Sequence, residues 1–146
     1  MKHIINPILI LALLISFSGC SSDDKPEQIK YPVAENIIGK WYMIGYDSGN
    51  GYVEYKSACS NKRDYLEFLE TMHCTEKSFA ADCETGYTIN AVWKVTNDIN
   101  LSLNNDEDSV GRYYIVSQLT GDRLGLQSQS QTALGGSVTV TNYYSK

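Results

Sequence analysis

Few residues in this chain are equipped for chemistry. There are four cysteines, Cys20, Cys59, Cys74 and Cys83, and two histidines, His3 and His73. A thiolate or an imidazole can act as nucleophile, redox group or metal ligand, but each needs partners at the right spacing. Those partners are missing. The cysteine spacings do not resemble a zinc site, and no histidine pair accompanies them. His73 beside Cys74 reads as an exposed neighbour pair in a loop rather than an activated thiol. No Gly-x-Ser-x-Gly, His-x-x-His or glycine-rich phosphate loop occurs. Carboxylates gather at Glu67/Glu70 and Asp106-Glu107-Asp108. Glu67 stands opposite the apolar face of its strand, so solvent is its expected partner. The run from Asn104 to Asp108 lacks the spacing of a known calcium loop and reads as a solvated acidic tip. The expectation is a protein without catalytic residues, metal or cofactor.

Cys20 has a different context. Lys2 is followed by the apolar run Ile4–Ile15, which is too short to span a bilayer as a stop-transfer helix. Phe17-Ser18-Gly19-Cys20 then resembles the lipobox of bacterial lipoproteins. The resemblance implies removal of residues 1–19 as a signal peptide, a diacylglyceryl thioether on Cys20 and acylation of the new amino terminus. Several acyl chains give stable anchoring, since each buried methylene contributes about 0.8 kcal/mol. Ser21 and Ser22 fit outer-membrane placement, and Cys20-Ser21-Ser22-Asp23-Asp24 resembles the acidic start of lipoproteins from the Bacteroidetes group, some of which are flipped to the cell surface. Residues 20–32 read as a flexible tether, polar and holding Pro26 and Pro32.

The remaining chain, residues 33–146, suits one domain with one core. The full sequence carries 12 basic and 17 acidic residues, a net charge of −5. Losing Lys2 with the signal makes it about −6, which argues against nucleic acid and against electrostatic docking on anionic lipid. The expected membrane contact is the covalent lipid. Three cysteines remain for an oxidising compartment, so one disulfide is expected and one thiol is left over. Cys59–Cys83 is preferred because it ties two polar connections around the Tyr65–Glu70 strand; Cys74–Cys83 is the alternative.

The elements that must position these residues are strands. The prolines Pro7, Pro26 and Pro32 all precede the domain, so no strand is interrupted. Eleven tyrosines fit half-buried sheet surface. Val33 to Gly39 holds one short helical turn. Alternation then predicts strands over 40–46, 52–56, 64–70, 87–95, 99–103, 111–119, 123–127 and 137–144, with Met72 to Gly86 less regular. Asp47-Ser48-Gly49-Asn50-Gly51, Asn97-Asp98 and Thr120-Gly121-Asp122 are turns. Eight sequential strands without a crossover helix pair antiparallel and hide their edges by closing into an up-and-down β-barrel; a sandwich is the alternative.

Gly39-Lys40-Trp41 at the start of the first strand resembles the Gly-x-Trp signature of lipocalins. Cys59, the Tyr65-Leu66-Glu67-Phe68 strand, Cys83, the Trp93 strand and the Leu124-Gly125-Leu126 strand follow in an order that looks like the lipocalin-like domains of Bacteroidetes lipoproteins. The resemblance covers roughly Ile37 to Tyr144. It implies that Gly39 and Trp41 plug the closed end of the barrel and that an arginine, Arg123 or Arg112, lies on the tryptophan. By strand parity Met43, Phe68, Ala91, Tyr113 and Ile115 face inward and would line a cavity for a small apolar ligand. Thr139 and Thr141 are expected in solvent. The alternative is a filled barrel that acts as an interaction module, contacting a partner protein or an envelope polymer through its tyrosines. A cavity of roughly 300 Å³ or more lined by apolar side chains separates the two.

Overall fold

A computed structural model describes residues 29–105, 111–132 and 135–146. The expected signal peptide, Cys20 and the acidic stretch at Asp106–Asp108 lie outside the described residues.

A four-residue helix, α1 (Val33–Asn36), precedes nine strands: β1 (Gly39–Asp47), β2 (Tyr52–Glu54), β3 (Tyr65–Phe68), β4 (His73–Phe79), β5 (Gly86–Thr96), β6 (Asn100–Asn105), β7 (Arg112–Leu119), β8 (Arg123–Gln131) and β9 (Ser137–Ser145). All neighbouring pairs are antiparallel, and β1 also pairs with β9. β1 and β3–β9 therefore close an eight-stranded barrel. β2 is a short hairpin strand on the far half of β1. It pairs with Gly45–Asp47, while the near half of β1, Gly39–Tyr42, pairs with β3. The 47–51 turn forms around Asp47, whose carboxylate accepts from the N–H groups of Gly49 (2.7 Å) and Gly51 (3.1 Å).

The chain joins the domain earlier than the expected tether boundary at Pro32. Lys30 N–H donates to the Leu119 carbonyl at 2.8 Å, and Ile29 packs against the core. One partly buried side chain, Ile29, and the Lys30 backbone bond hold the segment in place. Met72 to Gly86, expected to be less regular, holds the regular strand β4. Its inward positions are Cys74, Glu76 and Ser78, facing Phe68, Leu66 and Asp64 across the β3–β4 ladder. Two of these three are polar, which masks the period-two pattern.

The core lies at one end of the tube. Val33 and Ile37 from the α1 region cover Trp41, Phe68, Trp93, Leu101, Leu119 and Leu124, all buried. Phe68 and Trp93 meet edge to face at 5.9 Å. Trp41 is fully buried and donates its indole N–H to the Ile37 carbonyl at 2.6 Å. Gly39 takes φ +121° where the chain turns from α1 into β1. A side chain there would be strained, which is the physical reason for the glycine two residues before the tryptophan.

Candidate ligand-binding site

The opposite end of the barrel is open. A cavity of about 280 Å³ lies inside it, lined by residues of β1, β3, β4, β5 and β9 and of the segments before β3. Met43 and Leu66 form its apolar floor. Its walls are polar. Asp64 is buried and accepts hydrogen bonds from Tyr55, from Ser78 (2.8 Å) and Ser57 (3.2 Å), and from the Phe79 N–H (3.0 Å). Burial alone would raise the Asp64 carboxyl, but these four donors hold it below the usual carboxylate range. Burial and the Asp64 carboxylate push the Tyr55 hydroxyl up to about 12.

A second polar group sits deeper. Glu76 on β4 accepts from Arg112 on β7 and from the Tyr87 hydroxyl at 3.2 Å. Burial first, and the Glu76 charge second, raise the Tyr87 hydroxyl. Burial also raises the hydroxyls of Tyr114 and Tyr144. These tyrosines therefore stay neutral, able both to donate and to accept. Arg112 Nη2 and Asn105 Oδ1 are buried without a hydrogen-bond partner among the described residues. Cys74 is buried on β4 rather than exposed in a loop beside His73, and burial with the nearby Glu76 charge pushes its thiol up to about 12. It is inert at neutral pH. Cys59 and Cys83 form the disulfide, joining the segment before β3 to the β4–β5 loop beside the mouth. Lys62 Nζ donates to the Cys83 carbonyl at 2.7 Å across the same junction.

The five expected lining residues divide three ways. Met43 lines the cavity. Phe68 and Ala91 face inward but are buried in the filled part of the barrel. Tyr113 and Ile115 face outward, 73% and 44% exposed. The Tyr113-Tyr114-Ile115-Val116 run is apolar on both parities, so alternation could not choose a face. The register Leu103↔Arg112 and Leu101↔Tyr114 turns Arg112, Tyr114 and Val116 inward, where Arg112 finds its carboxylate. The cation over Trp41 is neither Arg123 nor Arg112 but Lys146, with Nζ 4.5 Å from the ring. Arg123 lines an outer groove with Arg63 and Lys146 instead. Glu67 pairs with Lys40 at 3.2 Å on the outer face rather than with solvent alone. Thr141, expected in solvent, is buried, opposite Asp47 and Gln127 on the neighbouring strands.

Sequence reasoning missed Tyr55, Asp64, Glu76, Asn142 and Tyr144 as cavity residues. Tyr87 was within reach, since it shares a face with Ile89, Ala91 and Trp93. The cavity is smaller than the expected apolar hollow and about as polar as it is apolar, because Asp64, Glu76 and their tyrosines occupy its walls.

Among solved structures, a lipocalin-like protein from Bacteroides uniformis is similar in fold, with a TM-score of 0.53 and 13% identity over 76% of this chain and 98% of that one. Apocrustacyanin C2 gives a TM-score of 0.50 at 16% identity, covering 80% of this chain and 64% of its own. Bovine odorant binding protein in complex with its natural ligand gives 0.44 at 12% identity, covering 82% and 76%. A search of curated protein sequences finds no match. The sequence profile of the lipocalin-like domain matches residues 37–126. With that match over most of its length, and with a closed antiparallel barrel begun at Trp41, the chain belongs to the family of lipocalin-like domains.

Proposed function

We propose that this protein is a lipid-anchored envelope protein that holds a small, mainly apolar molecule with one polar end in the open half of its barrel. The observation that carries this reading is the 280 Å³ cavity, with Met43 and Leu66 below and neutral tyrosine hydroxyls around it. Apolar floor and convergent polar groups are the usual composition of a small-molecule site. The volume lies just under the range for drug-sized ligands, so the guest is small. The polar walls favour a molecule that keeps one hydrogen-bonding group at the mouth and buries the rest. Among the described residues of the cavity the side chains suit binding: Asp64 is fully engaged by its donors, and the nearby Cys74 thiol stays protonated.

The anchoring part rests on the lipobox at Cys20, and the outer membrane is the compartment that Ser21 and Ser22 favour. Native mass spectrometry of the full chain, extracted in mild detergent from its own envelope, tests both parts. The expected spectrum shows a diacylglyceryl thioether on Cys20 with an acylated amino terminus, both absent in Cys20→Ser, and a retained small molecule. Leu66→Trp fills the floor of the cavity and is expected to lose that molecule. A barrel that carries no guest in the wild type, or one that Leu66→Trp still retains, overturns the barrel-binding part.

A further inference from the structure

A concavity larger than the barrel cavity lies outside the barrel. A groove of about 880 Å³ runs across its outer face over β5 to β9. Tyr113 and Ile115, displaced from the interior by the parity of β7, stand in it as exposed apolar side chains. A β-bulge between Val116 and Gln118 shifts the β7–β8 register immediately beyond Ile115, and such bulges bend a strand and deepen its twist. Tyr113 leans along β7 over Gly111: a Cβ on that glycine would stand 3.2 Å from the tyrosine hydroxyl. The ring therefore lies along the strand at the groove floor.

The chemistry around this ring is uniform. Asn100, Gln127 and Gln129 present amides, and the other uncharged polar side chains of the groove carry hydroxyls. Among the described residues no hydrogen bond ties these three amides to the rest of the chain. Lys94 is the one charged side chain the groove presents, since Arg112 turns inward to Glu76. Among the described residues, an anionic polymer would find a single cation there, and a cationic ligand no carboxylate. A protein partner would require a broader apolar centre than two side chains. Amides and hydroxyls each donate and accept, which matches a ligand made of hydroxyl groups. Tyrosine gives a rigid apolar face with a polar edge, suited to the C–H face of a sugar ring.

We infer that this outer groove binds a neutral oligosaccharide, with Tyr113 stacking on a sugar ring and Asn100, Gln127 and Gln129 bonding its hydroxyls. The site is separate from the barrel cavity and does not depend on it.

Isothermal titration of the detergent-solubilised full chain with maltohexaose, cellohexaose, xylohexaose and mannohexaose tests this. At least one is expected to bind with a Kd below about 1 mM. Tyr113→Ala is expected to weaken that binding about tenfold or more with an unchanged unfolding temperature, since the residue is exposed. Tyr113→Trp is expected to keep it, and the cavity-filling Leu66→Trp to leave it unaltered. Binding by none of the four sugars, or equal binding by Tyr113→Ala, overturns the inference. So does sedimentation showing a dimer that Tyr113→Asp dissociates, because the groove would then be a contact between two copies.

Discussion

Arg112 on β7 crosses the barrel interior to donate to Glu76 on β4, joining two walls that share no strand ladder. Both side chains are mostly withdrawn from solvent. Removing one charge strands the other in a poorly solvated site. Glu76→Leu is expected to cost about 2–3 kcal/mol in urea unfolding, and the double variant Glu76→Leu/Arg112→Met to regain most of that loss. Additive losses in the double variant would contradict a direct pairing.

Trp41 fills the closed end and bonds Ile37. Trp41→Ala should cost about 3–5 kcal/mol, the usual range for a buried tryptophan. Lys146→Ala removes only the cation above the ring, and about 1 kcal/mol or less is expected. Thermal unfolding of the two variants should differ in that order.

The Cys59–Cys83 bridge closes a loop with a sequence separation of 24. Replacing both cysteines by alanine is expected to cost roughly 3 kcal/mol, mostly by freeing the unfolded chain. Cys74 should resist iodoacetamide in the folded protein and react only after denaturation, because its thiol is buried and stays protonated.

Asp64 gives the fold an acid limit. Its folded-state pKa lies below the unfolded value, so between the two the unfolded chain binds more protons. The stabilisation is complete above about pH 4 and is lost as pH falls through the folded-state value. Asp64→Asn is expected to lose about 1–3 kcal/mol at neutral pH and to flatten stability between pH 4 and pH 2. At the alkaline end the sign reverses. Tyr55 titrates higher in the fold, at about 12, than in the unfolded chain, so its contribution holds below about pH 10 and fades above it.

The sequence made the barrel legible wherever inward positions were apolar. Ile89, Ala91, Trp93 and Val95 alternate with the exposed Asn90, Val92 and Lys94, and β5 follows that pattern. The Gly39-Lys40-Trp41 start carried the closed end, because a positive-φ glycine and a buried indole are local requirements. The candidate site was less legible for the same reason in reverse. Glu76 and Ser78 point inward where apolar residues would be expected, and Glu76 is supported by an arginine 36 residues away. A partner so distant leaves no periodic mark on β4. On β7, Tyr113 and Tyr114 are alike in type, and only their neighbours across β6 decide which one is inside.

The seam between β1 and β9 pairs Tyr42 with Ser145. The first wall of the tube thus waits for the last one to be synthesised, and the tube stays unsealed on the ribosome until residue 145 has been added. Such distant pairing makes closure slow relative to local hairpins. A polypeptide built this way can gather its hairpins early but has no sealed interior until its final strand is in place.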